Sequence, residues 1–484
     1  MFSLILEAVH GDGSRHSLIG RCFQWGASLE QSVQKCHDSE YHLDALQKVW
    51  FPKVRDQVEY CFNNSEYYEK ALRAAGLESP RDIRSLDDFR NLPPLMNKAS
   101  HLESQRESLK RFNHPFGMHL CAPIGDVRHV AATSGTTGNP TFYTFTQSDL
   151  ITTYEMFGRL FRQAGIRKGE SVFHAYGLSL WLAGTTVLQA LEHYGARPIP
   201  VGAEAGTSKI LRYLELTRPR VLLATPSLVS HLIERSESEI GKPVGALGIE
   251  TIICAGEPGA GLPAVRRRIM EAYGAKIFDF SGGAWFNMAM SCAADQSHSG
   301  LHYLADDHCF RYDLIDPTTK KPLPLENGQV GEALCTGLGY QAGPALRYAS
   351  GDVLKLTVDE CPYCGEFGSR FNFVGRVDDL LNVKGVKVYP SAIKEIVEQF
   401  QPDVSGQMKI ILSSAPPRVP PPMKVNVEAG PNSSGDHEQL SKRIEERIRE
   451  LLSVRTEVTI VEFGSIPRSH LKTKLVEVRS EEAS

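Results

Sequence analysis

Two stretches of this 484-residue chain combine residue types at spacings that chemistry needs. The run Ala132-Thr133-Ser134-Gly135-Thr136-Thr137-Gly138-Asn139-Pro140 sets two glycines among four hydroxyl side chains. Small residues let backbone amides close on an anion such as a phosphate, and hydroxyls add donors without bulk. It is not a Walker A loop, because no Gly-Lys-Ser/Thr follows at the required spacing. A plain Ser/Thr-rich turn is the alternative. The second stretch is Cys361-Pro362-Tyr363-Cys364-Gly365, where two thiolates two residues apart can grip one metal ion. Buried thiols without metal are the alternative there.

These groups need elements to hold them. From about residue 150, helical segments alternate with short β-branched runs at Val172-Phe173, Arg197 to Val201, Val221 to Ala224 and Thr251 to Cys254. That alternation predicts parallel strands joined by helices. Residues 308 to 375 change to strand-like runs amid turn residues, which predicts a smaller β-rich subdomain. After Gly375 the pattern reads strand, helix, strand, a Pro-rich loop (Ala415 to Pro422), strand Met423 to Val427, helix Glu438 to Leu452 and strand Glu457 to Val461. Such a lobe of about 100 residues can fold on its own.

Composition narrows the function. Lys and Arg total 53 against 57 Asp and Glu, a net charge of -4, so the chain lacks the basic excess expected of a nucleic-acid binder. No apolar run reaches the roughly 18 residues of a membrane span, and the N-terminal MFSLILEAVHGDG has no basic n-region, so neither a span nor a signal peptide is expected. The ten cysteines are mostly isolated, which suits reduced thiols in a cytoplasmic enzyme.

The glycine-rich run resembles the phosphate loop of the adenylate-forming superfamily of acyl-CoA synthetases, with Asn139 where that family has lysine. Four further motifs follow in family order: Ala255-Gly256-Glu257-Pro258, Tyr348-Ala349-Ser350-Gly351-Asp352, Gly375-Arg376-Val377-Asp378-Asp379-Leu380 and Pro467-Arg468-Ser469-His470-Leu471-Lys472. Leu92-Pro93-Pro94-Leu95-Met96-Asn97-Lys98, Pro115-Phe116-Gly117 and Gly300-Leu301-His302 followed by Asp316-Pro317 are similar to the phenylacetate-CoA ligase branch. The likeness covers about residues 45 to 484.

The resemblance implies an α/β fold with three parts: an extension (1–44), a large ATP- and acid-binding domain of layered sheets (45–377) and a small mobile α+β domain (378–484). It implies that Thr133, Ser134, Gly135, Thr136, Thr137 and Gly138 hold the ATP phosphates. Gly256, Glu257, Pro258, Asp279, Phe280 and Ser281 join them around the nucleotide. Asp352 would accept the ribose hydroxyls, a task for a fixed bidentate acceptor, beside Arg376. Asp378 would be the hinge. Lys472 would be the catalytic cation at the reacting carboxylate and α-phosphate, with Lys474 its neighbour and Leu471 in a glycine's place.

Where the family shows Tyr-Gly-x-Thr/Ser-Glu, this chain reads Phe280-Ser281-Gly282-Gly283-Ala284-Trp285. Tryptophan cannot supply the oxygen that glutamate offers Mg²⁺. Tyr176, Trp181, Gly282 and Trp285 would instead shape a pocket for a flat acid, core packing being the alternative for the aromatics. The branch resemblance adds Cys292 and His302 to Cys361 and Cys364 as a closed structural Zn²⁺ set, with His298 a competing ligand. The implied reaction joins ATP and a small aryl or arylacetic acid to an acyl-AMP, then passes the acyl group to CoA. Open alternatives are an amine or carrier-protein acceptor, another oxyanion such as nitrite activated for an arylamine, and a degenerate nucleotide sensor. A homodimer is the candidate assembly.

Overall fold

The computed structural model describes residues 39–133, 140–257, 259–282, 288–293, 300–414, 416–431, 433, 435–467 and 475–479. The large domain begins with the helices Ser39–Asn64, Glu66–Ala74, Leu86–Arg90 and Lys98–Phe112. Its strands in chain order are β1 (Met96–Asn97), β2 (His129–Ala132), β3 (Phe142–Phe145), β4 (Ser171–His174), β5 (Arg197–Pro200), β6 (Val221–Ala224) and β7 (Thr251–Cys254). They continue with β8 (Lys276–Ser281), β9 (Ala289–Met290), β10 (Leu301–Tyr303), β11 (Cys309–Ile315), β12 (Val330–Gly337), β13 (Tyr348–Glu360) and β14 (Phe367–Arg376).

One 12-stranded sheet runs β11-β12-β13-β14-β10-β9-β8-β7-β6-β4-β5, with β1 added parallel to β13. From β8 to β5 it is parallel, and from β8 to β11 it is antiparallel. The β-rich region expected at 308 to 375 is thus the antiparallel wing of the same sheet, joined through two very short strands. Every residue of β6 and β7 is buried. Alternate residues serve opposite faces, as pleating requires. Val221, Leu223 and Ile253 enter one core, while Leu222, Ile252 and Ala224 enter the other. The crossover helices, among them Gln147–Gln163, Pro226–Ile240 and Pro263–Tyr273, cover these faces.

The second domain has a core drawn from Leu381 to Val458. Its strands are β15 (Leu381–Val383), β16 (Val386–Val388), β17 (Val404–Leu412), β18 (Arg418–Val419), β19 (Met423–Ala429), β20 (Thr456–Val461) and β21 (Val476–Val478). A four-stranded sheet β20-β19-β17-β21 packs beneath the helices Pro390–Glu398 and His437–Leu452. Along β17 burial alternates strictly, so Val404, Met408, Ile410 and Leu412 face the core. Burying each such side chain stabilises by about 1.5–3 kcal/mol. The domains meet where Ser391 Oγ donates to Val374 O (3.0 Å) and Lys387 Nζ to Thr318 Oγ1 (3.1 Å). Gly375 is needed there, because a Cβ would lie 2.3 Å from the Tyr389 ring.

Candidate active site and metal centre

β2 and β3 pair as an antiparallel hairpin, so the glycine-rich run leaves one strand and returns in the other. Thr133 closes its base: the backbone N–H donates to Thr141 O (3.1 Å), and the two threonine hydroxyls meet at 2.8 Å. Ser134, Gly135, Thr136, Thr137, Gly138 and Asn139 lie outside the described residues.

Ala132 N–H donates to Leu180 O (2.6 Å), which brings Trp181 beside the hairpin. The Trp181 ring also closes on Gly256, where a Cβ would come within 2.9 Å of it. Gly256 has φ +96, a second reason for glycine. Trp181 meets Tyr176 edge-on, with centroids 5.8 Å apart. Tyr176 is buried and its hydroxyl donates to Ile253 O (2.9 Å), so it backs Trp181 from inside the core rather than lining a pocket surface. Glu257 Oε1 accepts from Ser227 N (2.8 Å) in the first turn of the helix Pro226–Ile240, where the helix dipole favours a carboxylate. Pro258 lies outside the described residues.

Asp279, Phe280 and Ser281 end β8. Asp279 N–H donates to Ser291 Oγ (2.9 Å) and Ser291 N–H donates to Asp279 O (2.8 Å). The Phe280 ring covers Gly282, where a Cβ would stand 2.3 Å from it. Trp285 and His298 lie outside the described residues.

Asp352 and Arg376 stand opposite each other in the β13–β14 register. Arg376 Nη1 donates to Asp352 Oδ1 (2.6 Å), and Nη2 reaches Ser350 O (3.2 Å) and Asp378 Oδ2 (3.5 Å). Burial acts to lower the Arg376 pKa, but the carboxylates of Asp352, Asp378 and Asp379 hold it above the ordinary arginine value. Asp352 and Arg376 are 26% and 28% exposed, which leaves room for a ligand to share the carboxylate. Asp378 is 73% exposed, at the domain junction.

Lys472, with Leu471 and Lys474, lies outside the described residues, but its flanks are anchored. Buried Glu428 accepts from Ile466 N (2.9 Å), and β21 pairs parallel with β17 just beyond Lys474. Leu475 lines an interdomain cleft of about 120 Å³ together with Ser227 and Glu257 of the large domain and Lys394, Glu398 and Gln407 of the small one. Burial pushes the Glu398 carboxyl up to about 7, against the pull of Lys394 at 3.3 Å.

At the far end of the β13–β14 hairpin, Cys361 and Cys364 meet Cys292, just after β9, and His302 of β10. Their ligand atoms all lie within 4.8 Å of one another. Cys292 Sγ and Cys361 Sγ are 4.0 Å apart, and Cys364 Sγ and His302 Nε2 are 3.8 Å apart. A tetrahedral zinc with about 2.3 Å Zn–S bonds has edges of about 3.8 Å, so this donor set fits the ion. Sequence reasoning missed Arg266, which is wholly buried. Its Nη2 donates to Ile277 O (2.6 Å) and lies 3.5 Å from Cys292 O, tying β8 to the cluster. Its only signal is an arginine in the buried register of the helix Pro263–Tyr273.

Residues 385–478 match a family model described as AMP-binding enzyme C-terminal domain. The chain is 29% identical over 443 residues to phenylacetate-coenzyme A ligase of Thermus thermophilus, covering 88% of this chain and 94% of that one. The chain is thus similar along most of its length to phenylacetate-CoA ligases, and its last part matches an AMP-binding enzyme C-terminal domain. Among solved structures it is similar to 2-hydroxyisobutyryl-CoA ligase in the postadenylation state with 2-HIB-AMP, at 27% identity, TM-score 0.78, and 91% and 90% coverage of the two chains. Against the same ligase in the thioesterification state with 2-HIB-AMP and CoA, identity is 28%, coverage is 90% of each chain and the TM-score is 0.62. The chain is therefore more similar in structure to that ligase in its postadenylation state than in its thioesterification state.

Proposed function

We propose that this protein is an AMP-forming acid–thiol ligase whose acid is aryl or arylacetic. A carboxylate oxygen attacks the α-phosphorus of ATP and pyrophosphate leaves; the thiolate of CoA then attacks the acyl carbon and AMP leaves. The observation that carries this reading is the Asp352–Arg376 pair, held about a quarter exposed where the AMP-binding C-terminal domain meets the large domain.

Asp352 serves the ribose hydroxyls, exchanging part of its bond to Arg376 for them. Lys472 places a compact charge where negative charge builds on phosphorus, and domain closure excludes the water that would screen it. Rotation about Asp378 withdraws Lys472 for the second step, so one cleft serves both reactions. Trp181, with Gly282 and Trp285, forms the wall against the flat acid. Mg²⁺ would shield the phosphate charge; with tryptophan at 285 it is assigned to the phosphates and water. Zn²⁺, held by Cys292, His302, Cys361 and Cys364, would supply structure alone, since four protein ligands leave no open position.

The test is acid-dependent ATP–pyrophosphate exchange with Mg²⁺ across aryl, arylacetic and aliphatic acids. An aromatic acid should support exchange, and Lys472→Ala should lower it about 10²–10³-fold. Exchange with no carboxylic acid, from protein that still binds ATP, would overturn the reading.

A further inference from the structure

The helix Lys98–Phe112 buries a face unlike that of other helices in the fold. His101, Ser104, Gln105 and Ser108 all point inward, where an apolar stripe is the usual solution. Buried polar groups cost free energy unless they are bonded, and well-bonded ones fix a single geometry. Here the bonds of His101 and Gln105 go to the backbone on which the chain returns from the glycine-rich run, while Ser104 and Ser108 bond to residues 105 and 114–119.

Gln105 is 7% exposed, and its side-chain amide acts as a strand partner. Nε2 donates to Pro140 O (3.1 Å) and Oε1 accepts from Phe142 N (2.8 Å). One turn earlier His101, fully buried, sets Nε2 3.1 Å from Phe142 O. Burial lowers the His101 pKa to about 4, so the ring is neutral at pH 7 and Nε2–H donates. Two side chains four residues apart therefore secure the strand on which the glycine-rich run returns. Ser104 Oγ bonds His119 Nδ1 (2.9 Å) and accepts from Met118 N (2.8 Å), which holds the helix in place.

The same helix is tied to the ribose side. Asn97 caps it, its side chain accepting from Ser100 N, and Met96–Asn97 pair with Tyr348–Ala349 at the start of the strand that carries Asp352. His101 also meets the Tyr348 ring edge-on at 6.1 Å. One rigid element thus spans the strand bearing the ribose acceptor and the stem of the phosphate-binding run.

We propose that Gln105 is a positioning residue that fixes Pro140 and Phe142, where the chain returns from the glycine-rich run, relative to the strand carrying Asp352, and that binding of the outer phosphates of ATP depends on it. It touches no substrate and acts through Pro140 and Phe142. The proposal rests on the nucleotide reading above but not on the identity of the acid.

The test compares equilibrium binding of ATP and of AMP to the full chain and to Gln105→Met and Gln105→Glu, with thermal melting alongside. AMP lacks the two outer phosphates, so the loss should fall on ATP. Gln105→Met should weaken ATP about tenfold while AMP stays within about twofold, and Gln105→Glu, which keeps the acceptor for Phe142 N, should recover part of the loss. Equal losses for the two nucleotides, tracking a lower Tm, would reduce Gln105 to a packing residue and overturn the proposal. Unchanged ATP binding in both variants would overturn it too. If neither variant folds, acyl-adenylate and ATP binding to Gln105→Asn replace them, read against the same ratio. Wild-type protein that binds neither nucleotide would remove the nucleotide reading and this proposal together, whereas wild type that binds ATP without acid-dependent exchange would remove only the ligase reading.

Discussion

The β13–β14 hairpin carries a candidate site near each end, roughly 30 Å apart, and the two are built in opposite ways. At the Cys361–Cys364 turn, donors from separate segments converge on one point, and Cys292, His302 and Cys361 are buried. At Asp352 and Arg376 an ion pair, with Asp378 beside it, stands about a quarter exposed at a domain junction. The first end is suited to a ligand that never leaves and the second to one that comes and goes. Permanence needs ligands fixed from several elements, whereas turnover needs a carboxylate that can trade partners at little cost.

The widest separation between the two ends should come from removing a cysteine of the candidate metal site. Cys361→Ser should abolish about one bound zinc per chain, read by elemental analysis, and lower Tm by at least about 10 °C. An unchanged Tm would mean the thiols merely pack. At the other end Asp352→Ala should weaken ATP by about 10–100-fold in calorimetry, the worth of charge-assisted hydrogen bonds, while Tm moves by no more than a few degrees. A large Tm loss there would make the pair structural and erase the contrast.

Glu398 tests the junction between the domains. Its carboxyl pKa is raised by burial to about 7, so between the unfolded value near 4.5 and that point the folded state binds more protons. Its contribution is therefore complete below the unfolded pKa and is lost as pH rises through about 7. Glu398→Gln should flatten the fall of Tm between pH 5 and 8, giving a gain of about 1–3 kcal/mol at pH 8 relative to pH 5. Parallel Tm profiles for variant and wild type would place the titration elsewhere.

Much of this was legible in the chain. Val221 to Ala224 and Thr251 to Cys254 read as buried strands because apolar β-branched runs between turn residues have few other uses, and both are fully buried. The Cys-x-x-Cys turn announced itself by spacing. The union of both wings into one sheet was not legible, because β9 and β10 span only two and three residues and carry no periodicity. Nor was the work of Gln105, His101 and Arg266: polar residues on a helix read as a solvated face, and only tertiary contacts reveal that these are buried. Tyr176 shows the reverse error, since an aromatic near a pocket motif proved to be core.

The most direct measurement of the central claim is product stoichiometry with phenylacetate, ATP, Mg²⁺ and CoA, followed by chromatography and mass spectrometry. The account predicts AMP, pyrophosphate and the CoA thioester in equal amounts. Formation of ADP and phosphate, or AMP without thioester when an arylamine or nitrite replaces CoA and the acid, would contradict it.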